Sequence, residues 1–163
     1  MILKSEWKWR WDFFDVTIIV SDLVADTFKR HVQFSNDFER GGQLFVDLTM
    51  ADGLWLSEAS LPHPDDAAGV DWLHLNQERC TAEIINANQR GLRLVGYWHT
   101  HPENIPTISP QDVMSFRKFS ALNSTLLQNP LVVVVGRHAV DAWIVTKAHI
   151  EKAKLSSEAR KEN

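Results

Sequence analysis

Two short runs of β-branched and aliphatic residues, Val16 to Val20 and Leu131 to Val135, constrain this chain more than any other feature. Both fall far short of the roughly 20 apolar residues that a membrane-spanning helix needs. Branched side chains pack well on a pleated surface, so both runs are read as buried strands. Between them, Ser21 or Asp22 can cap a helix reaching about Val32, with Val24, Phe28 and Val32 on one face. Asn36 to Gly42 reads as a loop, and Leu44, Val46 and Leu48 then mark one buried face of a strand over Gln43 to Thr49. Asp52-Gly53 turns the chain into a returning strand, Leu54 to Ala59. Pro62 to Val70 is a polar surface loop.

Asn76 can cap a second helix that runs to about Arg90 and is closed by Gly91. Leu92 to Trp98 is a strand. Ser109-Pro110 opens a third helix, with proline at the first helical position, and that helix ends near Asn123. Leu131 to Val135 and Val140 to Thr146 form a hairpin across Gly136 to Ala139. Paired strands between helices predict an α+β fold with one mixed sheet flanked by helices. The expected domain spans 1–147, followed over 148–163 by a polar tail or short helix.

The formal net charge of -4 argues against nonspecific binding of nucleic acid, which needs a basic face. Cys80 is the single cysteine, so no internal disulfide exists, and its place on a helix reads as core. Met1 to Phe14 lacks the basic start and apolar run of a signal peptide. These features set the expectation of a cytoplasmic protein with no membrane partner. Trp7, Trp9 and Trp11 alternate like one face of a strand, with core packing as the first reading and a partner-docking face as the second.

The chemistry lies in Gly96 to Phe116, which reads GYWHTHPENIPTISPQDVMSF. His99 and His101 stand at the end of a strand, where residues i and i+2 point the same way and both imidazoles can face one point. Asp112, near the start of the third helix, is the nearest carboxylate on a rigid element. Three protein ligands would leave the fourth position of a zinc tetrahedron open to water, the arrangement of a catalytic site. Asp112 has a second reading, since Ser109-Pro110-Gln111-Asp112 also resembles a capping box.

His-x-His, ten intervening residues and an Asp, with Ser three positions before it, resembles the signature of the JAMM metalloproteases of the JAB/MPN superfamily. Here these are His99, His101, Ser109 and Asp112. The family's upstream glutamate, often placed before Gly-Gly and an apolar strand, is matched by Glu39 in Glu39-Arg40-Gly41-Gly42-Gln43-Leu44-Phe45. Val46 stands where many relatives carry glycine, a change expected to alter strand packing near the site. The resemblance covers roughly Val16 to Val145.

The resemblance implies a cytidine-deaminase-like α/β/α sandwich and a Zn2+-dependent isopeptidase. His99, His101 and Asp112 would be the metal ligands, Glu39 the general base, and Ser109 the hydroxyl that holds the oxyanion. Glu39 to Phe45, Tyr97 to Pro102 and the chain length look most like the small bacterial JAMM proteins of CBASS anti-phage operons. That likeness implies a protein substrate, a conjugated CD-NTase whose C-terminus is amide-linked to a target lysine.

The first alternative is a deconjugase for a bacterial ubiquitin-like protein. A non-catalytic MPN scaffold and a sulfur-carrier or cysteine-releasing protease of the same superfamily follow. The short stretch from Ala121 to Pro130 leaves no room for a large insertion, which favours a substrate held by its extended tail along a sheet edge. Trp98 packs in the core on one reading and contacts substrate on the other. His63, Asp65 and Asp66 either border the cleft or are plain surface.

Overall fold

The computed structural model describes residues 2–122 and 129–156. In chain order the elements are β1 (Ser5–Trp11), β2 (Val16–Ser21), α1 (Asp22–Arg30), β3 (Gly41–Asp47), β4 (Leu54–Ala59), β5 (Ala67–Ala68) and β6 (Leu73–His74). There follow α2 (Gln77–Gln89), β7 (Leu92–Thr100), α3 (Pro110–Leu122), β8 (Leu131–Val135), β9 (Val140–Val145), β10 (Ile150–Lys152) and β11 (Lys154–Ser156). Helix starts follow their caps: Ser21 accepts from the Val24 N–H and Asn76 from the Arg79 N–H. The expected end of the third helix near Asn123 lies outside the described residues, as does most of the stretch that links it to β8.

Nine strands form one mixed sheet in the order β10-β9-β8-β7-β3-β4-β2-β1-β11. Two of its pairings are parallel, β2 with β4 and β7 with β8. The α/β/α sandwich expected from the sequence is the fold observed. On one face α1 inserts Val24 and Phe28 among Trp9, Trp11, Leu44, Trp98 and Leu131. On the other, α3 brings Val113 and Phe116 against Val132, Val134 and Trp143, while α2 brings Ala87 against Phe45 and Leu92. This explains the uninterrupted apolar run of β8, because Leu131 and Val133 face α1 while Val132 and Val134 face α3.

The expected boundary after residue 147 does not hold. Residues 150–156 are two strands in the sheet: β10 pairs with β9 and β11 pairs with β1. They are the two outermost strands, yet only Ala153 separates them, and its N–H donates to Ala142 O at 2.8 Å. The sheet therefore curls round α1 until its ends meet in one continuous segment. Trp11 reinforces the join by donating its indole N–H to Glu151 O at 3.1 Å. Lys152 and Lys154 are exposed while backbone pairing, with the Glu151 carboxylate accepting the Phe13 N–H, holds the stretch in place, so its polarity did not signal a tail. Residues 157–163 lie outside the described residues.

Three smaller expectations also change. Val46 is buried in the α1-facing core opposite Arg93, well along β3 from the Gly41–His99 pairing. It therefore shapes the core and not the site. The polar loop over 62–70 carries β5, which folds back on β6 as a small hairpin. Cys80 is half-buried on α2 and not part of the core, and burial pushes its thiol up to about 11. Trp9 and Trp11 are core residues and meet edge to face, with centroids 6.3 Å apart.

Candidate metal centre

Strand β7 lies in the middle of the sheet, paired with β3 on one side and β8 on the other. Its end carries His99 opposite Gly41 and Val134. His101 follows one residue past the strand and is tied down by its N–H to Val135 O at 3.0 Å. The alternation of strand side chains then brings the two rings to one side, with Nε2 atoms 3.1 Å apart. Asp112, in the first turn of α3, places Oδ2 at 3.2 Å from His99 Nε2 and 3.5 Å from His101 Nε2.

These three edges fit a metal ion. A tetrahedral zinc with bonds of about 2.0–2.1 Å requires ligand atoms about 3.3 Å apart. Protons alone cannot satisfy the triangle. If one imidazole Nε2 carries hydrogen for its neighbour, the other faces the carboxylate lone pair to lone pair. A cation satisfies all three edges at once. Among the described residues, His99, His101 and Asp112 are the group whose donor atoms gather in this way.

The charges agree. Burial works to raise the Asp112 carboxyl, but hydrogen bonds from His101 and His99 outweigh it and hold the group far below the usual carboxylate range. Burial works to lower His101, and the hydrogen bond and charge of Asp112 reverse this and raise it. Glu39 is 7% exposed, with Oε1 3.8 Å from His101 Nε2. Its carboxyl is raised by burial, against the pull of His99 and His101.

Glu39 sits just before β3 and is anchored by its N–H to Gly69 O at 2.8 Å. Gly41 and Gly42 follow because β3 runs too close to its neighbours for a side chain. A Cβ at Gly41 would lie 2.3 Å from Trp98 O, and one at Gly42 would lie 2.2 Å from Ser60 O. Ser109 and Asp112 form a reciprocal cap at the start of α3, which fixes the carboxylate that meets the histidines. The capping reading of Asp112 thus holds, and the same geometry sets its carboxylate beside the two histidines.

The core reading of Trp98 describes its indole, although the residue also borders the cleft beside His99. It is 1% exposed, donates its indole N–H to Ser60 O at 3.0 Å, and packs against Phe28 and His31. Its phase along β7 is opposite to that of His99. Tyr97 is in phase, and it lines a cleft of about 240 Å³ with Glu39, His99, Asp112, Leu73 and Phe116. The i, i+2 rule that joined the histidines was enough to point to Tyr97. Asp66 is neither cleft nor plain surface: it forms a buried ion pair with Arg79 at 2.7 Å, and Arg79 also donates to Gly41 O and Ser60 Oγ. His63 and Asp65 are outside the cleft lining.

Sequence reasoning also missed Glu103, whose Oε1 lies 3.2 Å from His101 Nδ1, though not in hydrogen-bond geometry. A carboxylate two residues past a candidate ligand histidine was the available signal.

Sequence comparison matches residues 30–146 to the family described as prokaryotic homologs of the JAB domain. The chain belongs to that family. Among curated proteins it is similar to a CD-NTase/cGAS isopeptidase of Pseudomonas aeruginosa, 28% identical over 123 residues that make up 74% of this chain and 77% of the relative. It is also similar to one of the same name from Escherichia coli, 24% identical over 147 residues, or 88% of this chain and 90% of the relative. The fold resembles the solution structure of protein DSY2949 from Desulfitobacterium hafniense with a TM-score of 0.61 and 12% identity, covering 83% of this chain and 88% of that one.

Proposed function

We propose that this JAB-family chain is a zinc-dependent isopeptidase of the cytoplasm that frees the C-terminus of a conjugated protein, a CD-NTase, from a target lysine. The observation that carries the reading is Glu39, a buried carboxylate 3.8 Å from His101 Nε2, at the edge of a His99–His101–Asp112 triangle with the spacing of a metal site. The names of the two curated relatives supply the substrate class. Zinc held by His99, His101 and Asp112 supplies Lewis acidity and lowers the pKa of water toward neutrality.

The remaining work falls to the protein. Glu39, its carboxyl raised by burial, takes a proton from the attacking water and delivers it to the departing lysine amine. The Ser109 oxygen accepts the Asp112 N–H, so the hydroxyl hydrogen is left to donate to the oxyanion of the tetrahedral intermediate. The cleft floor beside Glu39 is walled by Tyr97 and Phe116 on one side and by β6 on the other. An extended C-terminal tail laid against Leu73 and His74 would add a strand to the β5–β6 hairpin, reading the substrate through its backbone.

The test is a CD-NTase from a neighbouring gene whose C-terminal residue is amide-linked to a reporter protein, with the cut located by mass spectrometry. Wild type is expected to release the native C-terminus and Glu39→Gln to release none. Cleavage of a ubiquitin-like conjugate alone would assign the enzyme to that substrate instead, and no metal-dependent cleavage of either would sink the reading.

A further inference from the structure

We infer that Gln33 is a positioning residue that sets Glu39 against the two metal-binding histidines; this rests on the isopeptidase reading for its catalytic consequence. Gln33 follows α1, is fully buried, and touches no cleft residue through its amide. Its Nε2 donates to Asp37 O at 2.9 Å and to Val70 O at 2.8 Å. Its Oε1 accepts the Thr100 hydroxyl at 2.8 Å. Turning the amide over would set Oε1 against two carbonyls, so its orientation is fixed.

Each of the three contacts leads to the site. Asp37 lies two residues before Glu39, in a turn closed by its own N–H to Phe34 O at 2.9 Å. Val70 follows Gly69, whose carbonyl holds the Glu39 N–H at 2.8 Å. Thr100 stands between His99 and His101. Because its hydroxyl hydrogen is committed to Gln33, its oxygen is free to accept the Arg40 N–H at 3.0 Å, and the Thr100 N–H returns to Arg40 O at 2.9 Å. One buried amide thus ties the segment carrying the base, the strand carrying two ligands and the hairpin beside the cleft. A core amide needed only for packing would satisfy neighbours anywhere. This one bonds to the three segments whose relative placement fixes the distance from Glu39 to the metal ligands.

The test uses the full chain stripped of metal and titrated with Co2+, whose visible absorption reports the histidine site, together with turnover of the amide-linked conjugate. Gln33→Met is expected to fold, to bind Co2+ about 10–100-fold more weakly, and to lose kcat by about 10–100-fold with KM within about twofold, the scale seen when partners that orient metal ligands are removed. Thr100→Val is expected to share the defect and Thr100→Ser to restore it, and this pair decides the matter if Gln33→Met fails to fold. The Gln33/Thr100 double variant should be little worse than either single one, as for two members of one network. Co2+ affinity and kcat both within twofold of wild type in a folded Gln33→Met, or Thr100→Ser as impaired as Thr100→Val, would overturn the inference. If wild type cleaves no conjugate, the isopeptidase reading fails on its own and the Co2+ titration still decides the role of Gln33.

Discussion

Ser109 and Asp112 hold each other at the start of α3: Ser109 Oγ accepts the Asp112 N–H at 3.0 Å, and Asp112 Oδ2 accepts the Ser109 N–H at 3.2 Å. Asp112 Oδ2, which accepts the Ser109 N–H, is therefore also the oxygen that faces both histidines. The cap that Ser109 forms and the oxyanion role proposed for it are separable. Ser109→Ala should lose about 0.5–2 kcal/mol of stability as a cap and about 10²–10³ in kcat as an oxyanion donor. Chemical denaturation and turnover measure the two independently, and a variant that is destabilised but turns over normally would leave Ser109 as a cap alone.

The triangle of His99, His101 and Asp112 should hold one metal ion per chain. Elemental analysis of protein purified without chelator is expected to find about one zinc per chain, the occupancy of a three-ligand catalytic site. A His99→Ala/His101→Ala double variant should contain none. Full retention of zinc by that variant would place the metal elsewhere.

Glu39→Gln removes the proposed proton carrier and leaves His99, His101 and Asp112 intact. The variant should keep its metal and its melting temperature while turnover falls by about 10²–10⁴-fold, the usual contribution of a general acid–base group. Near wild-type cleavage by a metal-loaded Glu39→Gln protein would remove Glu39 from the chemistry.

The buried Asp66–Arg79 pair links stability to pH. Burial works to raise the Asp66 carboxyl, but the Arg79 hydrogen bond and the Asn76 N–H outweigh it, so its pKa is lowered in the folded chain. A lowered pKa contributes stability that is fully present above the unfolded value of about 3.9 and is lost as pH falls through the folded value. Asp66→Asn should cost about 1.5–3 kcal/mol at pH near 7, since it removes the charged acceptor of guanidinium hydrogen bonds while Glu83 still pairs with Arg79. The gap from wild type should narrow once pH drops below about 4, where wild type begins to lose the same charge. Denaturant titrations at both pH values make the comparison, and a gap that stays constant would show that Asp66 acts through shape and not charge.

Local signals were legible in the sequence where one stretch of chain decides the outcome. Ser21 and Asn76 cap their helices, and the branched run at Leu131 to Val135 is a doubly buried strand. His99, His101 and Asp112 converge because a strand end and a helix start have fixed side-chain directions. What escaped depends on distant partners. Nothing in Val32-Gln33-Phe34 reveals that an amide there will bridge Asp37, Val70 and Thr100. The strand character of Lys154 to Ser156 arises only when Arg10 and its neighbours are in place to pair with it. Tyr97 was missed although its signal is local, since it alternates in phase with His99.

The joint at Ala153 has a consequence for how the molecule assembles. Because β10 and β11 occupy opposite ends of the sheet, its first and last pairings in space both depend on a stretch of chain synthesised after all the other described strands. Until residue 156 is available, β1 and β9 each have an open edge, and open edges invite pairing with other molecules. Contacts as remote as Trp11 with Glu151 must close late and against the entropy of a long loop. A chain shortened before Ile150 would accordingly keep His99, His101 and Asp112 and yet expose two open strand edges, its defect appearing as aggregation and poor yield before any loss of chemistry.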